Sequence, residues 1–285
     1  MPDPLAPGVY PLPELEYHKD PQRDDGGSAS STTLRHILAP GSPAQVKYDA
    51  EHPKRKDAWD LGSVAHRLIL GSGCDIVEVE ADSWRTKDAR EAREAVRAAG
   101  GVALLSEDLR AAEAMAEAVH AHPLAHALLT LQGAPEQTLI WREPTIGGDV
   151  WGRAMLDWWG DPTAGDPISD DVKTTDKGLD DDSIEKTIWQ YGYHCQEDWY
   201  RRGYHAVHGV WPQFMFIFVQ ASPPHLVRVI EIDDELRRIA RETNDRALSV
   251  WAECTRSGIW PAPGADDPTL IGPPAWVRRR EASAW

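Results

Sequence analysis

The sequence predicts an α/β domain with a central mixed β-sheet flanked by helices. Three observations predict it. The 285 residues are 41% hydrophobic and 27% charged, the balance of a chain that buries a core rather than staying disordered. Stretches of helical periodicity alternate with stretches of two-residue alternation, the pattern of helices laid on a sheet. No internal repeat and no clear linker divides the chain. One domain over residues 31–260 is therefore expected, preceded by an arm over 1–30 and followed by a Pro-rich tail over 261–285.

Residues 1–30 are rich in Pro, Asp, Gly and Ser and read as a partly ordered arm ending in the loop Asp24-Asp25-Gly26-Gly27. A helix starts near Ser30 or Thr32, both good caps, carries Leu34, Ile37 and Leu38, and stops at Pro40-Gly41. From Asp60 to Leu70, Leu61, Val64, Ala65, Leu68 and Ile69 form one apolar stripe ended by Gly71, a buried helix. Residues 75–80 alternate as a strand. Helices are expected over 84–99 and 107–131, the second broken at Pro123. Strands follow over 137–141, 149–158 and 168–174, with turns at Gly147-Gly148-Asp149 and over 160–167. A helix over 183–203 sets Ile184, Ile188, Tyr191 and Cys195 on one side. Two strands, 214–220 and 226–232, precede a last helix to about Arg256, capped by Asp233 or Asp234.

Charge and cysteine usage narrow the function. Net charge is −16, which excludes a protein that coats nucleic acid by bulk positive charge. It does not exclude an enzyme with a local basic groove. Cys74, Cys195 and Cys254 are far apart and odd in number, so neither a zinc or iron–sulfur site nor a disulfide framework is expected. No run of about 18 apolar residues and no secretory leader is present, so a cytoplasmic protein without a membrane partner is expected. His120, His122 and His126 have metal-like spacing but read as exposed or capping residues on an Ala-rich helix. The 13 tryptophans against 3 phenylalanines read as core filling.

The chemistry concentrates between Gly152 and Thr175. Asp157 ends one expected strand, and Asp171-Val172-Lys173 lies on the next. Asp171 and Lys173 share a face because side chains alternate along a strand, and a hairpin-like pairing brings Asp157 beside them. Two carboxylates and an ammonium then converge. The carboxylates suit a hard cation such as Mg²⁺ or Mn²⁺, and the lysine can hold a water or neutralise a developing oxyanion. Phosphodiester hydrolysis fits this set. From Asp149 to Glu185 eleven acids face only Arg153, Lys173 and Lys177, so a polyanionic substrate needs cations between itself and the protein.

The surrounding residues resemble the PD-(D/E)xK nuclease superfamily, and within it the RecE type, exodeoxyribonuclease VIII-like enzymes of phages and prophages. Over roughly residues 8–260 the similar motifs occur in order. They are Gly8-Val9-Tyr10 with Glu16-Tyr17-His18, Ser30-x-Thr32-x-Leu34 with Ser42-Pro43-Ala44, Gly62-x-x-x-His66, Arg153-x-x-x-Asp157, Asp171-Val172-Lys173-Thr174-Thr175, and Tyr193-x-x-Gln196-x-x-x-Tyr200. The resemblance implies metal ligation by His66, Asp157, Asp171 and the Val172 carbonyl, with Lys173 as the catalytic lysine alongside Asp157 and Asp171. Without it, His66 would read as a satisfied core histidine. Gln196 and Tyr200, one turn apart, either border the site and place DNA and lysine or brace helix on sheet. Ser30, Thr32 and Arg153 either touch DNA phosphate or serve as caps and a salt bridge. Glu136 has a structural or a metal-binding reading.

By this resemblance the protein is expected to be a Mg²⁺-dependent exonuclease (Mn²⁺ substituting) acting on double-stranded DNA ends. It would degrade one strand 5′-to-3′ and leave 3′ overhangs for a RecT-like single-strand annealing partner, as a homo-oligomer, a tetramer in the family, in a bacterial host cytoplasm. The alternatives are a RecB-like or Cas4-like nuclease acting on single strands, and a non-catalytic DNA-end-binding protein on the same fold.

Overall fold

The computed structural model describes residues 5–22, 25–52, 61–72, 75–99, 101–264, 268 and 270–282. Asp24, Asp60 and Cys74, invoked above, lie outside them. The main sheet is built on a meander of three antiparallel strands, β5 (Gly133–Glu143), β6 (Val150–Gly160) and β7 (Ile168–Thr175). From β7 the chain crosses over through α8 (Asp181–Tyr191) and α9 (Tyr193–His208) to β8 (Gln213–Gln220), which pairs with β7 in parallel; β9 (Val227–Ile230) closes that edge antiparallel to β8. The sheet is therefore mixed, as expected.

The N-terminal segment is more ordered than its composition predicts. β1 (Gly8–Tyr10) adds antiparallel to β5, α1 (Glu14–His18) follows, and β2 (Ser28–Ala29) lies parallel to β6 beside Trp151 and Gly152. Backbone pairing needs no apolar alternation when the strand is short and at an edge, so composition gave no sign of it. Asp20 holds the turn between them. It takes a positive φ of 61° and accepts hydrogen bonds from the amides of Gln22 and Ser28.

Helices cover both faces. One layer holds α2 (Ser31–Ile37), α3 (Pro43–Glu51), α8, α9 and α10 (Asp234–Ser257). The other holds α4 (Leu61–Leu70), α6 (Ser106–Ala121) and α7 (Pro123–Leu128). Beside them lies a two-stranded parallel sheet of β3 (Ile76–Val79) and β4 (Val102–Leu105), joined by α5 (Lys87–Ala98). Strand β8 shows why both faces are buried: Phe214, Phe216 and Phe218 enter the first core, and Met215, Ile217 and Val219 enter the second. Such a continuous apolar run is what a strand covered on both sides requires. No helix among the described residues is long and apolar enough to cross a membrane.

Caps set the helix starts. Ser30, Ser42, Thr86, His122, Asp180 and Asp233 each accept a hydrogen bond from a backbone amide of the first turn. His122 is thus a cap at the Pro123 break, as its spacing allowed. The helix expected over 183–203 is two helices. Gly192 takes a left-handed φ of 69° and ends α8 by receiving the capping geometry of a helix C-terminus. α3, β4 and the tail helix α11 (Ala275–Ala282) were not expected.

Some of the tryptophans fill the core, as expected, whereas Trp189, Trp211 and Trp276 are exposed. Trp141 and Trp199 are fully buried with ring centroids 4.8 Å apart. Their indole N–H groups donate to Glu143 Oε2 at 2.7 Å and to the Arg153 carbonyl at 3.1 Å, so neither leaves a polar group unpaired. The Trp141 ring is flanked by Gly152 and Gly203. A Cβ at either would come within 2.4 and 2.6 Å of ring atoms.

Candidate active site

The site forms where β6 and β7 part. Their ladder is marked by Trp158 opposite Asp170. One step further, an unbroken antiparallel ladder would set Leu156 against Val172. There the Val172 N–H instead donates to Asp157 Oδ2 at 2.7 Å. A side chain thus takes the place of a backbone acceptor, and the opening admits groups from both helical layers.

From one layer, α4 brings His66, whose Nε2 is 2.8 Å from Asp157 Oδ2. Its neighbours Val64, Ala65 and Ile69 pack with Val172 in the second core and fix the helix on the sheet. From the other layer, α9 brings Gln196. Its Nε2 donates to Asp171 Oδ1 at 2.6 Å, and its Oε1 accepts from Lys173 Nζ at 3.0 Å. Lys173 also pairs with Asp171 Oδ2 and lies over the Tyr193 ring, 4.4 Å from its centroid. The expected shared face of Asp171 and Lys173, and the approach of Asp157, are both present. Val172 itself turns its side chain to the second core.

Electrostatics at the site are dominated by burial and by carboxylates close together. Burial alone would push the His66 imidazole down, but the Asp157 charge and hydrogen bond, with Asp171 and Glu136, hold it at about 9. Asp157 is lowered: burial opposes this, and His66, Lys173 and the Val172 N–H outweigh it. Burial and repulsion from Asp157 raise Asp171 to about 6 against the pull of Lys173 and His66. Lys173 is raised, since Asp171 and Asp157 offset its burial, so it is cationic at neutral pH.

Asp170 was not singled out in the sequence, because alternation aims it away from Asp171. It is completely buried. Its carboxyl is pushed well above the usual range by burial and by Asp157 and Asp171, and neither oxygen has a hydrogen-bond donor among the described residues. The clue was its place in the run Asp170-Asp171 on a strand buried on both faces. Glu136 sits in β5 with a positive φ of 48° and acts on His66 electrostatically.

Tyr200 is buried against Phe214, within hydrogen-bonding reach of Gln196 and within electrostatic range of Asp171 and Asp157. Ser30 caps α2 through the Thr33 amide, and Thr32 is exposed on the first turn. Arg153 is engaged inside the protein. Its Nη1 donates to Ser28 O at 2.6 Å and Ser28 Oγ at 2.8 Å and lies 3.0 Å from Asp20 Oδ2, with the Tyr17 ring under the guanidinium.

Among the described residues no three His, Cys, Asp or Glu side chains form a ready-made metal cage; His66 closes on Asp157 and Lys173 on Asp171. The donor set nonetheless fits a divalent cation. Hard oxygens meet an imidazole, and three buried carboxylates raise or resist one another's charge with unpartnered oxygens among them. Asp157, Asp171, His66 and the Val172 carbonyl are the groups that would hold it.

A mixed sheet between helical layers, with Asp157, Asp171 and Lys173 at the parting of two strands, defines the PD-(D/E)xK nuclease class. Residues 31–266 match the family described as a PDDEXK-like domain of unknown function (DUF3799), and the chain belongs to it. Among solved structures, a candidate exonuclease from Eubacterium rectale shares the fold. Its TM-score is 0.59 at 12% identity, over 94% of this chain and 97% of that one. A phage-related exonuclease from Haemophilus somnus 129PT aligns over 81% of this chain and 96% of its own, at 13% identity and a TM-score of 0.34. No curated protein matches the chain.

Proposed function

We propose that the protein is a Mg²⁺-dependent exodeoxyribonuclease that degrades one strand of linear double-stranded DNA from its end. We assign it the 5′-to-3′ direction and a product with 3′ overhangs, suited to a RecT-like annealing protein in recombination, and a homo-oligomeric state. The observation that carries the nuclease chemistry is Gln196 joining Asp171 to Lys173 beside the Asp157–His66 pair. The polarity, partner and assembly rest on the resemblance of the ordered motifs to RecE-type enzymes.

Lys173 is held by Gln196, Asp171 and the Tyr193 ring. Its ammonium is therefore pre-oriented, and it stabilises the charge that grows on the phosphate as water attacks. Asp157 accepts from the Val172 N–H and Asp171 from Gln196, which hold both carboxylates near the lysine. His66 orients Asp157. When bound, a divalent cation supplies charge neutralisation for the scissile phosphate and a lowered pKa for the attacking water.

Linear duplexes labelled at the 5′ or at the 3′ end test this reading. With Mg²⁺, 5′ label is released early and 3′ label late, and covalently closed circles resist. Preferential digestion of single strands would favour the RecB-like reading, and binding of ends without cleavage would favour the non-catalytic one.

A further inference from the structure

The corner between α8 and α9 carries aromatic side chains that the core does not use. Tyr191 is 40% exposed and Trp189 61% exposed. Tyr191 stacks on Tyr193 with centroids 5.7 Å apart and 21° between planes, and the Tyr193 ring lies under Lys173 Nζ. One face of Tyr191 is thus covered and the other is open, a single step from the lysine at the site. Trp189 is parallel to His194 within 2°, at 5.1 Å. The exposure is built in. Gly192 turns the chain with its left-handed φ, the Arg35 stem lies where a Cβ on Gly192 would be (2.9 Å), and Arg35 Nη1 donates to the Tyr191 carbonyl.

Two cations lie near this step. Arg35 bonds the Tyr191 carbonyl, and Lys177, in the loop after β7, lies within electrostatic range of Tyr191. Lys177 also pairs with Asp176 at 3.0 Å. The acids Asp181 and Asp182 are at the far end of α8, about 15 Å away at 1.5 Å per residue. An open aromatic face near two cations, adjoining a site for phosphodiesters, matches an unpaired nucleotide: a base to stack and phosphates to neutralise.

We propose that Tyr191, stacked on Tyr193, is the step on which an unpaired base of the strand being cut rests, with Arg35 and Lys177 beside its phosphates. Tyr191 is a positioning residue in this scheme: it seats the strand so that the next phosphate meets Lys173. The inference rests on the nuclease reading. It adds to it a preference for a frayed or single-stranded terminus at the site itself.

The test uses the full chain, Mg²⁺ and short duplexes with a two-nucleotide single-stranded end. One carries 2-aminopurine at an unpaired position, and one is abasic there. The expected results are quenching of 2-aminopurine on binding and a KM about tenfold higher for Tyr191→Ala, in line with a stacked base. Tyr191→Phe should retain wild-type behaviour, and the Tyr191→Ala effect should vanish on the abasic substrate. Equal KM values for wild type and Tyr191→Ala on the intact base, in a protein that cuts DNA, would overturn this inference alone. So would an unchanged KM with a shift in sedimentation, which would make the corner an interface between copies. A wild-type chain that neither binds nor cuts any of these duplexes would overturn the nuclease reading and this inference with it.

Discussion

Gln196 spans Asp171 and Lys173, donating to the carboxylate at 2.6 Å and accepting from the ammonium at 3.0 Å. Both ends of one amide are used, so the angle between the two catalytic candidates is set by a residue on a different element. Loss of such a supporting group typically lowers activity about 10- to 100-fold. Gln196→Ala should show that loss in kcat with an unchanged melting temperature. Gln196→Glu should be at least as impaired, because it places an acceptor against the Asp171 carboxylate. Steady-state digestion kinetics with parallel thermal melts check both.

His66 links pH, stability and metal. Its pKa is held at about 9, above the ordinary value of 6.5, chiefly by Asp157 against the opposing effect of burial. In metal-free protein the stabilisation from this pair is therefore complete below pH 6.5 and is lost as pH rises through about 9. Urea titrations in EDTA should show that decline, and His66→Ala should flatten it. As a metal ligand His66 must shed its proton. Calorimetric Mn²⁺ titration at pH 7.5 in buffers of different ionisation enthalpy should then report proton release of about one per metal. No proton release would remove His66 from the ligand set.

Arg153 anchors the N-terminal segment to the sheet through Ser28, Asp20 and Tyr17. Hydrogen bonds to a charged group contribute about 1.5–3 kcal/mol, so Arg153→Ala should lose roughly that stability in urea. The salt dependence of DNA binding should keep its slope. A slope reduced by about one unit would instead place Arg153 on a phosphate.

Much of this was legible in the chain, for physical reasons that differ by element. β8 is written as two interleaved apolar faces, and Asp171-x-Lys173 declares a shared face by alternation. His66 was legible only through the ordered motifs, since a lone histidine on an apolar helix carries no signal of its partner. The β1 and β2 pairings were hidden because short strands are specified by backbone bonds and by Asp20 and Arg153, not by patterning. The break at Gly192 was masked by apolar residues that stay in phase on both sides of it, at Ile184, Ile188 and Cys195. Missing it placed Tyr191 on the same side as Ile184 and Ile188, which are buried, whereas Tyr191 is exposed.

Packing around Trp141 provides a check on the core. A methyl at position 203 would come within 2.6 Å of the ring, and overpacking of this kind costs about 1–3 kcal/mol. Gly203→Ala should lower the urea midpoint accordingly, and the Gly203→Ala/Trp141→Phe pair should be less than additive.

The central claim is that Asp157, Asp171 and Lys173 form a metal-dependent centre for phosphodiester hydrolysis. Release of nucleotides from linear duplex DNA, measured with and without Mg²⁺ for wild type, Asp171→Asn and Lys173→Ala, tests it most directly. The account predicts Mg²⁺-dependent release by the wild type, and its loss by about a thousandfold or more in both variants at unchanged far-ultraviolet dichroism, the scale of removing electrostatic stabilisation at a reacting group. Wild-type rates from both variants, or undiminished release in chelator, would contradict it.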